Sequence, residues 1–246
     1  MIDNFRVLAI IPARSGSKGL RFKNTRDFCG KPLLAWSIEC AKKSKYIDEI
    51  IVSTDKNSIA KIARDFGAKT PFLRQRRLSG DRVSSVTVII DAIRKLKVLG
   101  FKEFHLIVLL EPTSPIRFEK DVDLAIKKLV SNLEFSKSLV SIAKAISIHP
   151  SYLFKMNSKG FINPIYEQGN VNKYLPRQAL KDVYYPEGSI YISEISALLQ
   201  EKSFYHENTM GFLVDKWKAI EIDDKFDFYI ASLIKKKLSK NVRFFE

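Results

Sequence analysis

Cysteine is scarce in this chain: Cys29 and Cys40 are the only two among 246 residues, one flanking a loop and one on a predicted helix. Neither has the spacing of a metal or redox motif, and so few thiols predict a reducing compartment, the cytoplasm. Only three histidines occur. No Ser-His-Asp or Cys-His arrangement can be read from the spacing, so hydrolase chemistry has no support. His149, just before Pro150, reads as a turn or interface residue rather than a catalytic base. No apolar run reaches membrane-spanning length, and Met1-Ile-Asp-Asn-Phe-Arg6 lacks the basic and apolar blocks of a signal peptide. Internal repeats and low-complexity tracts are absent as well. Acidic residues are outnumbered, 27 against 42 lysines and arginines, for a formal charge of +15. Such an excess suits polyanionic partners. The lysines are nevertheless spread along the chain rather than gathered with aromatics, and no nucleic-acid module signature occurs, so nucleic acid is not the expected partner. The densest run, Lys235-Lys-Lys-Leu-Ser-Lys240, reads as a solvated helix end.

What is present is the make-up of an α/β domain. A chain of this length buries roughly 70–75% of its unfolded surface and needs neither disulfide nor metal to fold. Its 46% hydrophobic content is ordinary. Apolar strands alternate with amphipathic helices, which predicts a doubly wound, mostly parallel sheet in a single domain spanning 1–246. Strands are predicted at Arg6–Ile11, Glu49–Ser53, Thr70–Phe72, His105–Leu110, Leu139–Ala143, Ser189–Ser193 and Ala219–Ile222. Helices are predicted at Lys31–Ser44, Ser58–Phe66, Ser84–Leu99, Lys120–Leu133 and Lys225–Leu238. Ser84 or Ser85 is placed to cap the third helix and Gly100 to stop it. The nearly continuous apolar run at 105–110 marks a central strand. Residues 145–187 form an irregular extension, rich in Pro, Asn, Tyr and Gly with little helical period.

The most informative segment is the first strand and the loop it enters, Val7-Leu-Ala-Ile-Ile-Pro-Ala-Arg-Ser-Gly-Ser-Lys-Gly-Leu-Arg-Phe-Lys-Asn24. A strand ending in Ser, Gly, Arg and Lys before a helix is how α/β proteins hold phosphates at the carboxyl edge of a sheet. Gly16 and Gly19 would let the backbone approach an anion, Ser15 and Ser17 add small donors, and Arg14, Lys18 and Lys23 supply charge. The spacing fits neither G-x-x-x-x-G-K-[ST] nor G-x-G-x-x-G, which excludes an ATPase loop and a dinucleotide fingerprint.

The order of these residues resembles one family, the cytidylyltransferases that activate acidic keto-sugars, typified by CMP-sialic acid (acylneuraminate) synthetases. The resemblance rests on Pro12-Ala-Arg14-Ser-Gly-Ser17-Lys-Gly19, Lys23-Asn24 and Gly30-Lys-Pro-Leu33. It continues through Ile51-Val-Ser-Thr-Asp55, Phe72-Leu-Arg74, Ser84-Ser85, Pro112-Thr-Ser-Pro115 with Arg117, His149-Pro150, Pro176-Arg-Gln178, Gly188-Ser-Ile-Tyr191 and Ile220-Glu-Ile-Asp223. It implies attack by the anomeric hydroxyl of a 2-keto sugar acid on the α-phosphorus of CTP, with release of pyrophosphate. By the same resemblance Arg14, Ser17, Lys23, Asn24, Arg74 and Ser85 bind nucleotide, and Lys23, Arg14 and Asp223 serve catalysis. Glu111, Thr113, Arg177, Gln178, Glu187 and Tyr191 fall where the sugar binds, with Arg177 available to the sugar carboxylate. The extension at 145–187 is implied to pack against a second subunit, giving a homodimer.

Glu221 and Asp223 are two residues apart on the predicted strand Ala219–Ile222 or just beyond it, so their side chains share a face. Hard oxygen ligands on one face suit Mg²⁺, with phosphates supplying further ligands. The family usually carries Asp-x-Asp here, and the longer Glu221 makes Asp223 the more direct ligand. Asp224 and Asp227 read as a helix cap and a first-turn acid. Two departures stand in the implied sugar pocket: Glu111 replaces a usual Gln, and Tyr185-Pro-Glu187-Gly replaces Arg-Pro-Asn-Gly. Ionised carboxylates only accept hydrogen bonds, whereas amides also donate. The pocket is therefore expected to favour a donor-rich or cationic sugar substituent. The alternatives are an eight-carbon substrate, as in the related CMP-Kdo synthetases, and an idle homologue that only binds. The separate Ser-Lys-Gly and Lys-Asn disagree with the first, and retention of Arg14, Lys23 and Asp223 together disagrees with the second.

Overall fold

The computed structural model of the chain describes residues 2–146, 149–165 and 177–239. The apolar run Val7–Pro12 forms β1, which leads through a long loop and a small hairpin, β2 (Asp27–Phe28) and β3 (Lys31–Pro32), into α1 (Leu33–Lys43). Then follow β4 (Glu49–Ser53), α2 (Asn57–Asp65), α3 (Ser85–Val98), β5 (Leu106–Leu109), α4 (Glu119–Val130) and β6 (Ser138–Lys144). A second hairpin, β7 (Phe154–Met156) and β8 (Ile162–Pro164), precedes β9 (Tyr184–Glu194), α5 (Ile195–Glu201), β10 (Met210–Leu213) and α6 (Lys225–Leu238).

Six strands form one sheet in the order β10-β6-β9-β5-β1-β4, parallel throughout except where β9 pairs antiparallel with β5 and β6. The period-2 alternation of strand side chains divides each strand between two cores. On one face Val7, Ala9, Ile11, Leu106 and Val108 meet Leu34, Ile38 and Ala41 of α1, Ile59 and Ala63 of α2, and Val122, Ala125, Ile126 and Leu129 of α4. On the other, Leu8, Ile10, Ile107 and Leu109 meet Ile89, Ala92 and Leu96 of α3 and Leu198 of α5. All four residues of β5 are buried, as a central strand covered on both faces requires. The doubly wound, mostly parallel sheet read from the sequence is the fold observed.

Two predicted strands did not form. At Thr70–Phe72 pairing stops after a single bridge between Ile51 and Lys69, because Pro71 has no N–H to extend the ladder. Residues 219–222 run as irregular chain, and β10, which was not anticipated, takes the sheet edge instead. The alternation survives locally: Ile222 is buried, and its N–H donates to the Thr113 carbonyl at 2.8 Å. Glu221 and Asp223 on either side are exposed. The lysine run ends α6 with Lys236 and Lys237 exposed, as expected, and only Lys235 departs. Lys235 is half-buried, with Nζ donating to the Pro115 carbonyl (3.1 Å) and lying 4.0 Å from the Trp36 ring centre. Lys240 lies outside the described residues.

α6 begins as its sequence predicted. Asp224 accepts from the Phe226 and Asp227 amides, and Asp227 reaches back to the Asp224 amide. Within the extension, the β7–β8 hairpin stands apart from the main sheet and exposes Met156, Phe161 and Ile162. His149 caps the turn at Pro150–Tyr152, Nδ1 accepting from the Ser151 amide. Residues 166–176 of the extension lie outside the described residues. Among the described residues no helix is long and apolar enough to cross a membrane.

Candidate active site

β1 is flanked by β4 on one side and β5 on the other, with α1, α2 and α4 packed on one face of the sheet and α3 on the other. The loops after β1 and β5 leave neighbouring parallel strands at the carboxyl edge of the sheet, and with the 74–88 segment and residues 221–223 they enclose a crevice there. One wall is the loop at residues 13–24. Its shape is set by partners distant in sequence. The Ala13 amide donates to the Ser53 carbonyl (2.9 Å), and Ser15 donates to both oxygens of Asp55 through its amide (2.8 Å) and hydroxyl (2.7 Å). The buried Asn24 amide donates to the Arg14 carbonyl (2.9 Å). Gly19 was expected to let the backbone approach an anion. It lines the cavity and also approaches the Asp223 backbone closely, where a Cβ at Gly19 would stand 2.2 Å from the carbonyl oxygen.

The crevice holds a cavity of about 560 Å³ whose wall is strongly charged. Arg14, Lys18, Lys23 and Arg74 contribute cations, and Asp81, Glu111, Glu221 and Asp223 contribute carboxylates. Lys23 Nζ donates to the Ile222 carbonyl (2.7 Å) and to Asp223 Oδ1 (3.1 Å), tying the first loop to the 220–224 segment. Arg14 and Lys18 both reach Asp81, at 2.6 and 2.7 Å. Hydrogen bonds from Lys18 and Arg14 hold the Asp81 carboxyl below the usual carboxylate range. Arg74 is buried beneath the cavity, and its Nε and Nη2 have no hydrogen-bond partner among the described residues. Burial lowers its pKa. A buried guanidinium with unmet donors costs free energy unless something accepts from it, so Arg74 is poised toward an acceptor.

The second wall is built by α3 and the loop after β5. Ser84 caps α3, accepting from the Thr87 amide at 3.2 Å. That leaves Ser85 facing Glu111, whose Oε1 accepts its hydroxyl at 2.6 Å. Burial and the neighbouring charge of Glu221 push the Glu111 carboxyl up, against the pull of the Ser85 bond. Thr113 donates its hydroxyl to Glu221 Oε1 at 3.1 Å. Partial loss of solvent at the cavity wall and repulsion from Asp223 raise the Glu221 carboxyl too, although part of the side chain stays exposed. Arg117 fixes this loop from below: buried, it donates to the Ser189 carbonyl, to Ser37 Oγ (2.6 Å) and to the Glu111 carbonyl (3.3 Å).

Antiparallel β9 brings its first residues to this same edge. A bulge opposite Ser141 holds Glu187 to Ile190, and Ser141 Oγ bonds the Ile190 amide (2.8 Å) and carbonyl (3.0 Å). Gly188 has φ +86°, and a Cβ there would lie 3.2 Å from Glu221 Oε2. Glu187 is buried inside the bulge, accepting from the hydroxyl and the amide (3.2 Å) of Ser189.

The cavity thus gathers Arg14, Ser17, Lys23, Asn24, Arg74 and Ser85 with Glu111, Thr113, Glu221 and Asp223. Three other sequence-derived candidates with described side chains are not on its wall. Glu187 is buried behind Gly188. Tyr191 is half-buried against Phe204 and Tyr205, its hydroxyl pKa raised by burial and by Tyr205. Gln178 is exposed on the short helix Arg177–Ala179. The Arg177 side chain lies outside the described residues. Two acids that sequence reasoning passed over take part: Asp55, which shapes the loop, and Asp81, which holds its cations. Asp55 ends the Ile51-Val-Ser-Thr-Asp55 motif, but nothing in the Gly80-Asp81-Arg82 turn signals a partner 67 positions away. Among the described residues no three His, Cys, Asp or Glu side chains are arranged to hold a metal. A cation here would have at most the Glu221 and Asp223 pair and oxygens from a ligand.

The chain is similar over most of its length to several known proteins. The chain is 36% identical over 228 residues to the CMP-N,N'-diacetyllegionaminic acid synthase of Legionella pneumophila, covering 92% of this chain and 94% of that one. It is 33% identical to the N-acylneuraminate cytidylyltransferase of Escherichia coli across 96% of its own length, but spans only 53% of that relative. The pseudaminic acid cytidylyltransferase of Campylobacter jejuni is 32% identical, with 93% and 96% coverage. In fold, the chain is similar to a CMP:2-keto-3-deoxy-manno-octonic acid synthetase structure complexed with CTP. The TM-score is 0.69 at 15% identity, over 95% of this chain and 99% of that one. The sequence pattern of the family described as cytidylyltransferase matches residues 8–223. With a carboxyl-edge crevice lined by Arg14, Lys23 and Arg74 and a family pattern over most of its length, this chain belongs to the cytidylyltransferases.

Proposed function

We propose that this protein couples CTP to the anomeric hydroxyl of a nonulosonic acid, a nine-carbon 2-keto sugar acid, giving a CMP-sugar and pyrophosphate. The observation that carries the reading is the single cavity whose one wall offers Arg14, Lys23 and Arg74 and whose other offers Ser85, Glu111 and Thr113. Relatives named for legionaminic, pseudaminic and N-acylneuraminic acids support the substrate class.

In such a transfer the protein's work is alignment and charge stabilisation rather than covalent chemistry. Arg14 and Lys23 neutralise the phosphate chain, and Lys23 acts most strongly as charge grows on the departing pyrophosphate. Asn24 holds the Arg14 carbonyl and so fixes the loop that presents the guanidinium. Buried Arg74 offers its unmet donors to a nucleotide acceptor. Ser17 and Ser85 add hydroxyls on the nucleotide side, and Thr113 with Glu111 faces the sugar. Glu221 and Asp223 suit a hard divalent cation. They are oxygen ligands flanking buried Ile222, and the mutual repulsion that raises Glu221 is relieved by positive charge. Mg²⁺, when bound there, neutralises phosphate oxygens. The exposed Met156, Phe161 and Ile162 of the β7–β8 hairpin support a homodimer through the 145–187 extension.

The test is pyrophosphate release from CTP, Mg²⁺ and a panel of keto-sugar acids. A nine-carbon acid should be turned over in preference to an eight-carbon one. Preference for the eight-carbon acid, or for no acid at all, would reject the assignment.

A further inference from the structure

Asp81 does something that the loop's architecture does not require. Residues 13–24 are already shaped by Ser53, Asp55 and the internal Asn24 bond. What Asp81 adds is charge: its Oδ1 takes Arg14 Nη1 at 2.6 Å and its Oδ2 takes Lys18 Nζ at 2.7 Å. It reaches across the cavity mouth to do so, from the turn between the short helix Arg76–Leu78 and α3. Both cations face the same cavity as Lys23 and buried Arg74. Four positive groups around one empty space repel one another, and a carboxylate between two of them reduces that repulsion. A polyphosphate chain needs the same two cations and carries more charge than one carboxylate.

We infer that Asp81 is an internal competitor for the polyphosphate: it occupies Arg14 and Lys18 in the empty site, yields them when the phosphates arrive, and retakes them as pyrophosphate leaves. The inference rests on the proposed CTP site and adds to it a residue that sets polyphosphate affinity. All three groups are at least a third exposed, so each pair is weak and the exchange is easily reversed. An internal anion that binds modestly can lower product affinity without blocking substrate.

The probe is inorganic pyrophosphate, titrated calorimetrically at low ionic strength. Asp81→Asn, which removes the charge and keeps the shape, should bind it roughly 3- to 10-fold more tightly than wild type, as two weak surface ion pairs allow. Asp81→Glu should bind near the wild-type level. A remote charge would also change affinity, so a double-mutant cycle with Lys18→Gln separates the two cases. Under competition, Lys18→Gln weakens pyrophosphate binding more in the Asp81→Asn background, where Lys18 is free, than in wild type. Additive effects, or unchanged or weaker binding by Asp81→Asn, would overturn the inference while leaving the CTP site intact. A wild-type protein that binds no pyrophosphate would overturn the functional reading and this inference with it.

Discussion

Gly19 and Gly16 lie three residues apart in one loop, yet replacing each with alanine should have very different consequences. A Cβ at Gly16 meets nothing within 4 Å, whereas one at Gly19 would stand 2.2 Å from the Asp223 carbonyl oxygen. Carbon and oxygen do not approach closer than about 3.0 Å, so the two backbones must separate by about 0.8 Å. The displaced segment carries both groups that hold Lys23, the Ile222 carbonyl at 2.7 Å and Asp223 Oδ1 at 3.1 Å. A shift approaching 1 Å in a catalytic group costs on the order of 10²-fold in rate. Gly19→Ala should therefore lower kcat by about that factor. Its overpacking cost of about 1–3 kcal/mol should lower Tm by roughly 2–10 °C. Gly16→Ala should melt with the wild type. Thermal melts and pyrophosphate release on both variants provide the check. Wild-type turnover in Gly19→Ala would refute the claim that this contact positions Lys23.

Other perturbations follow from the same geometry. Lys23→Ala should lower kcat by roughly 10²–10³-fold with a smaller change in KM for CTP, because the lysine acts chiefly on charge that grows during transfer; steady-state kinetics in which KM alone rises would assign it to ground-state binding. Asp223→Asn should lose activity at every Mg²⁺ concentration, while Glu221→Gln, whose carboxylate is already engaged by Thr113, should be partly rescued by excess metal. A Mg²⁺ titration with the opposite ranking would exchange the two roles. The Glu111 carboxyl is pushed up by burial, so the folded state holds its proton above the ordinary carboxylate range and loses stability as pH rises through the raised value. Glu111→Gln should therefore raise Tm at about pH 8 and matter less at about pH 4.5, and equal shifts at both would contradict this. Burial pulls Lys235 down to about 8 from its ordinary 10.5. Between those values the unfolded chain binds the extra proton, so stability climbs with pH across that window. Denaturation of Lys235→Met should show a flatter profile there, and an unchanged slope would place the titration elsewhere.

Local sequence determined the elements and most of the functional wall. Alternation along Val7–Ile11 and Leu106–Leu109 sorted side chains to two faces, helical spacing at Leu34, Ile38 and Ala41 supplied a matching surface, and Ser84 and Asp224 capped their helices. These patterns depend on residues a few positions apart, and a linear reading sees them. The loop at 13–24 was legible for the same reason, since Arg14, Ser17, Lys23 and Asn24 are neighbours in sequence as well as in space. Tertiary structure alone decided which charges meet. Asp81 on Arg14 and Lys18, Asp223 on Lys23, Ser85 on Glu111 and Thr113 on Glu221 are pairings across 26 to 200 positions. They exist because the loops after β1 and β5, the start of α3 and the 221–223 segment come together at the same sheet edge. The burial of Glu187 had no local signature, since the bulge around it depends on Ser141 of β6. At Ala219–Ile222 alternation directed the side chains without producing a strand: the Ile222 amide is met by the Thr113 carbonyl of a distant loop rather than by a neighbouring strand.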